Sequence, residues 1–294
     1  MRCSTSTTLS RTGGCTYEGT APLDQGPAAH AVVAAVQNGR AGSGWHRRLP
    51  AQEADDPVPV QKKQHVPRDQ MGQNNRRKEQ LMAVPVIVYG KSGSGKSRSL
   101  KNFAEDEIYL VNILGKMMPF KGQFKYITNG DDVQTIMAGL AKMPTNAAVI
   151  DDFGYIMTNM WMRGHSAGDQ FKLYSTIGDT VWNLIEYIKD PKNLPRDKVV
   201  YLIMHDDTDD SGFAKLRTIG KLLDQKVCIE GMCTVVLHCV VKGDQHVFRT
   251  NSDGYDLAKS PEGMFPEIEM ENDLKAADKL IREYWGLKPL KEGK

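Results

Sequence analysis

"VIVYGKSGSGKSRSL" spans Val86–Leu100 and decides the fold. A β-branched run, Val84, Val86, Ile87 and Val88, stops at a glycine. A strand buried on both faces of a parallel sheet requires such a run. Gly90-Lys91-Ser92-Gly93-Ser94-Gly95-Lys96-Ser97 then fits G-x-x-x-x-G-K-[ST] at every fixed position. Glycines let the backbone take positive φ and come close to a ligand. Successive N–H groups then point at phosphate oxygens. A helix is expected from about Gly95, with Leu100, Phe103 and Ala104 at helical spacing. Its positive end would add to the cradle. Lys96 is expected to reach the β- and γ-phosphates, and the Ser97 hydroxyl to bind Mg²⁺. The plainer reading is a Gly/Ser-rich turn, and the strand–loop–helix context argues against it.

A phosphate loop needs a carboxylate on the metal side, expected at the end of a buried strand adjacent to the first. "AAVIDDFGYIM" (147–157) supplies it: Ala147 to Ile150 are apolar and Asp151 follows. Asp152 is read two ways, as the group that polarises an attacking water or as a helix N-cap before "FGYIMTNMW". A third strand is "KVVYLIMHDDTDD" (198–210), in which His205 and Asp206 emerge after the apolar run. Ligands bind at the carboxyl edge of open parallel sheets, so His205 is the candidate γ-phosphate sensor. Its alternative is a loop histidine facing solvent.

Helices are expected over 131–143 and 168–190. The second carries Phe171, Tyr174, Ile177, Val181, Leu184 and Ile188 at three- to four-residue spacing, read as a core face. "IYLVNIL" (108–114) is a further short strand. "MCTVVLHCVVKGDQHVFRTN" (232–251) reads as a hairpin around Lys242-Gly243-Asp244, and 272–287 as a closing amphipathic helix. The order is that of an α/β fold with a largely parallel sheet.

The 294 residues suffice for one large or two small domains, and a formal net charge of +2 points to no polyanionic partner. The domain organisation divides at 81/82. Residues 1–81 contain no Ile, no Phe and only ten Leu plus Val, with 11 basic and 7 acidic residues. A segment so poor in large apolar residues cannot bury a core and is expected to be disordered. The expectation is that native translation starts at Met82, two residues before the first strand, or at Met71. A plain flexible tail and a Ser/Thr/Arg-rich targeting peptide are the other readings. Five cysteines, an odd number without a signal peptide, point to a reducing, cytoplasmic setting. Cys228, Cys233 and Cys239 lack the C-x2-C pairs of common zinc sites and read as small buried hydrophobes. No apolar run approaches the ~20 residues of a membrane span.

Residues 82–287 resemble the RecA-like/AAA ATP-binding proteins of bacteriophages and prophages, some of which sit beside single-strand annealing genes. The carrying residues are "VIVYGKSGSGKS", "AAVIDD", "VVYLIMHDD" and "VFRTNSDGYDLAKSPEGMF" (247–265), where Lys-Ser-Pro after the hairpin is similar to that family's C-terminal motif. The resemblance implies a P-loop NTPase over 82–290, with a RecA-like, mostly parallel sheet flanked by helices and a C-terminal β-hairpin. It implies ATP hydrolysis with Mg²⁺, homo-oligomerisation, and a role in phage DNA recombination or replication. Single-stranded DNA follows as a partner from the resemblance only, in a bacterial host or encoded by a phage. Lys96 and Ser97 would hold phosphate and Mg²⁺, Asp151 the metal side, and His205 the sensor position. Lys259 would act in trans on a neighbour's nucleotide, or is an exposed loop lysine. One departure stands out: RecA relatives place a catalytic glutamate after the second core strand, and "YLVNILGKMM" has none. Either Asp152 substitutes, or the chain is an ATP-dependent switch. A nucleotide or small-molecule kinase shares the loop, but Arg196 and Arg217 are isolated and form no clustered lid. A non-hydrolysing, ATP-gated assembly factor is the third reading.

Overall fold

The computed structural model describes residues 82–290. The expectations for residues 1–81 lie outside the described residues. The strands are β1 (Val84–Gly90), β2 (Ile108–Asn112), β3 (Tyr126–Asn129), β4 (Ala147–Asp151), β5 (Val199–Thr208), β6 (Ala214–Leu216), β7 (Val235–Lys242), β8 (Gln245–Arg249) and β9 (Glu269–Glu271). The helices are α1 (Val133–Lys142), α2 (Tyr155–Gly164), α3 (Gln170–Lys189), α4 (Lys221–Gln225) and α5 (Leu274–Trp285).

One sheet runs β3-β2-β4-β5-β1-β7-β8-β9, with β6 pairing on β5. The pairs from β3 through β7 are all parallel, while β7–β8 and β8–β9 are antiparallel. This is the P-loop α/β fold expected, with the C-terminal hairpin extending the parallel sheet. The hairpin turns at Gly243, whose φ of 57° suits a tight turn that side chains disfavour.

Alternate residues of β1 enter two cores. Ile87 and Tyr89 face α1, α2 and α3; Val86 and Val88 face Leu100, Phe103 and α5. A strand buried on both faces reads as a continuous apolar run, as here.

Three expectations are corrected. First, β4 is not adjacent to β1: β5 lies between them and pairs with both. Val199 to Met204 of β5 have no exposed surface, so the longest apolar strand takes the sheet's centre. Second, the phosphate loop does not run into an α-helix. It ends in a single 3-10 turn, Ser97–Leu100. The Ser99 hydroxyl bonds the Lys96 carbonyl at 2.6 Å, and short-range backbone bonds at Lys101 and Phe103 close the turn. Ser97, Ser99 and Asn102 offer little to propagate a helix, and the serine hydroxyls compete for its carbonyls. Third, α3 begins at Gln170, and Phe171 in its first turn is 83% exposed. The core face of α3 starts at Ile177 and continues through Val181, Leu184 and Ile188.

Candidate functional site

Parallel strands present their carboxyl ends on one edge, and four of them meet there. Gly90 of β1 lies in register with His205 of β5, and Asn112 of β2 with Asp151 of β4. A cavity at this edge, of about 370 Å³, is lined by Ser92, Gly93, Gly95, Lys96, Ser97 and Arg98. Lys116, Asp151, Asp152, His205 and His246 line it too. Phosphate loop, the carboxylates at the end of β4 and the β5 histidine thus share one cavity.

The loop's shape follows from its glycines. A Cβ on Gly90 would sit 2.3 Å from the Cys239 carbonyl oxygen, and one on Gly95 would sit 3.0 Å from His246 Nδ1. Gly93 and Gly95 have φ of 81° and 98°, where a side chain is disfavoured. Lys91 and Ser92 are exposed at the rim, whereas Ser94 is buried.

The buried Lys96 ammonium donates to the carbonyls of Gly90 and Lys91, 2.8 Å each, bracing both ends of the loop's first turn. Burial lowers its pKa from the ordinary lysine value, opposed by Cys239, Asp206, Asp152 and Asp151. The Ser97 hydroxyl lies 3.0 Å from each Asp151 carboxylate oxygen. Burial and the neighbouring Asp152 charge push the Asp151 carboxyl up, and the Ser97 bond opposes them. A hydroxyl on a buried carboxylate is the donor set for Mg²⁺, which takes one or two carboxylates and completes its shell with phosphates and water. Ser97 and Asp151 therefore fit that ion.

Asp152 turns the other way. Its φ of 60° makes it the only non-glycine with positive φ among the described residues. Aspartate tolerates that region better than most residues, yet it is uncommon and concentrates at functional sites. Lys116 Nζ lies 2.5 Å from its Oδ2, and His205 Nε2 lies 3.4 Å from its Oδ1. Burial alone would raise the Asp152 carboxyl; bonds from His205 and Lys116 outweigh it and hold the group below the usual carboxylate range. The N-cap reading of Asp152 does not hold. Gly154 precedes α2 without a side-chain cap, and Asp152 lends only its backbone carbonyl to Tyr155 N–H.

His205 is in a strand, not a solvent-facing loop. Its side chain is 19% exposed and meets the Tyr155 ring edge-on at 5.9 Å. Lys259 is not among the cavity residues. Its backbone N–H and carbonyl pair with Val236 of β7, and its charge acts on Cys228 and Cys233.

Sequence reasoning missed four contributors. Lys116 lies within "YLVNILGKMM", scanned for a glutamate but not for a cation, and no spacing rule flags it. His246, Cys239 and Asn272 form a backing layer to the loop. Cys239 Sγ and His246 Nδ1 both donate to the Ser94 carbonyl, at 2.9 and 2.8 Å, and Asn272 Nδ2 donates to Cys239 Sγ at 2.8 Å. A carbonyl can only accept, so His246 carries its proton on Nδ1. Burial pushes the Cys239 thiol up to about 11, which keeps it a donor at neutral pH. Cys233 is also buried, while Cys228 is exposed.

No family model and no curated protein matches the chain. Among solved structures, it is similar to a KaiC-like protein from the hyperthermophilic archaeon Pyrococcus horikoshii OT3. That likeness has 12% identity and a TM-score of 0.33, and covers 58% of this chain and 81% of that one.

Proposed function

We propose that this chain binds ATP with Mg²⁺ and hydrolyses it. The observation that carries the reading is the Ser97 hydroxyl held on both oxygens of buried Asp151, beside a glycine loop braced by Lys96. The backbone N–H groups of the loop hold the phosphates, and Lys96 trades two carbonyls for phosphate oxygens. Ser97 and Asp151 would hold the metal ion, which would supply positive charge against the phosphates. Asp152 orients the attacking water and receives its proton. The water oxygen bonds the γ-phosphorus as the bond to the β-phosphate bridge oxygen breaks, and ADP leaves with that electron pair. His205 holds Asp152 from the strand behind it and stands where loss of the γ-phosphate is felt. Catalysis of this kind is mostly positioning and electrostatics.

The finer reading rests on the sequence resemblance alone: a homo-oligomeric, cytoplasmic ATPase acting on single-stranded DNA in phage recombination or replication, with Lys259 reaching a neighbour's nucleotide. Among the described residues no helix is long and apolar enough to cross a membrane.

Phosphate release from ATP by the full chain, with and without single-stranded DNA, tests both levels. Lys96→Ala is the blank, and turnover at least about tenfold above it is expected, since the lysine makes charge-assisted bonds to the transferring group. Stimulation by DNA supports the recombination role. Turnover indifferent to DNA removes it. A phosphorylated small-molecule product replaces the reading with a kinase. Nucleotide binding without turnover leaves an ATP-gated assembly factor.

A further inference from the structure

The segment that follows β2 runs over the same cavity as the phosphate loop: Lys116, Met117, Met118 and Pro119 line it opposite Ser97. Its backbone is pinned. The Asn112 side chain donates Nδ2–H to the Lys116 carbonyl at 2.7 Å and accepts the Lys116 N–H at 3.2 Å. The Asn112 carbonyl takes the Gly115 and Gly130 N–H groups at 3.3 and 3.1 Å. The Lys116 side chain is not pinned in the same way. It is 55% exposed and ends on one partner, Asp152 Oδ2. A lysine on a fixed backbone, with a flexible four-carbon stem, can be re-aimed without moving the loop.

We propose that Lys116 reads the γ-phosphate, its ammonium exchanging Asp152 for a γ-phosphate oxygen when ATP is bound. The inference rests on the ATP-binding reading above. Two physical points carry it. The lysine end of the pair is 55% exposed, so its ammonium can move through water, and His205 keeps a contact on buried Asp152 when it does. A γ-phosphate offers several anionic oxygens in a confined cavity, where charge-assisted bonds are the strong ones. ADP has no oxygen at that place, so with ADP the lysine stays on Asp152. The exchange also leaves Asp152 to His205 and the attacking water.

The test is the ratio of dissociation constants for ADP and for β,γ-imido-ATP, each with Mg²⁺. It is measured by displacement of a fluorescent nucleotide from the full chain and from three variants. Lys116→Ala is expected to weaken the ATP analogue about tenfold or more relative to ADP, the loss of one charge-assisted bond. Lys116→Arg should restore most of the ratio. Lys96→Ala should weaken both nucleotides. A ratio moved less than about fivefold by Lys116→Ala overturns the proposal, whether neither constant changes or both change together. A wild-type chain that binds neither nucleotide overturns the ATP-binding reading and this proposal with it. Binding of both with an unmoved ratio overturns this proposal alone.

Discussion

Gly90 shows how much one hydrogen atom can decide. Its Cα faces the Cys239 carbonyl so closely that a Cβ would sit 2.3 Å away. Since both atoms belong to backbones of paired strands, no side chain can yield. Gly90→Ala is expected to destabilise the chain by about 1–3 kcal/mol, the cost of overpacking a tight core. Urea denaturation measures it, and a midpoint equal to the wild type would contradict the contact. The sequence motif names Gly90 as a phosphate-loop residue, but the strand it abuts is 149 positions away and no spacing reveals it. Lys96, Ser97 and Asp151 are different. Their positions were legible because a local pattern, apolar strand then loop or carboxylate, places each at a strand end. Asp152 was half legible. Its acidity was plain, but its left-handed backbone, and hence its turn toward Lys116 and His205, was not.

The element that matters most beyond the loop is the C-terminal hairpin, because it backs the phosphate loop. Its support comes through His246, which donates to the Ser94 carbonyl and packs against Gly95. His246→Ala is expected to weaken nucleotide binding severalfold through a looser loop, because one part-buried bond contributes about 1 kcal/mol. His246→Asn, whose amide nitrogen takes the Nδ1 position, should recover most of it. Nucleotide titration of the two variants checks this, and equal losses would sink the positioning role. The hairpin is itself held at its base. Asp256 accepts from His238 of β7 and Arg249 of β8, both at 3.0 Å. Burial would raise the Asp256 carboxyl; these bonds, with those from Ala258 and Ser252, hold it below the usual range. A depressed carboxyl stabilises the fold fully above the ordinary aspartate value of about 3.9, and less as pH falls through the depressed one. The stability gap between wild type and Asp256→Asn should therefore be wide at neutral pH and narrow near pH 3. Denaturant unfolding at both pH values measures it, and a gap independent of pH would contradict the assignment. The truncated turn after the loop is the element the sequence misrepresented most. Leu100 and Phe103 do reach a core, but from the end of a 3-10 turn and the bend after it, so helical spacing gave the right burial and the wrong geometry.

At the scale of the whole molecule, α5 ties the chain's end to the sheet's centre. Arg282 and Asp278, both buried, pair at 2.5 Å, and Tyr201 of β5 donates to Asp278 at 2.7 Å. Arg282 also donates to the carbonyls of Asn146, Asp197 and Lys288, closing the loops that enter β4 and β5. Removing one partner of such a pair leaves an uncompensated buried charge. Asp278→Ala is expected to cost about 3–5 kcal/mol, seen as a clear fall in thermal midpoint, and an unchanged midpoint would contradict it. What the sequence determined by itself was the inventory: strand, loop, carboxylate and strand-end histidine, each written in a run of a dozen residues or fewer. Such features follow from local sterics and from burial of each strand, which neighbouring residues dictate. The tertiary structure alone decided that β5 separates β1 from β4, that Asp152 meets Lys116 and His205, and that His246 backs the loop. Those depend on which strands pair and which loops cross one edge, a choice made by packing between residues far apart in the chain.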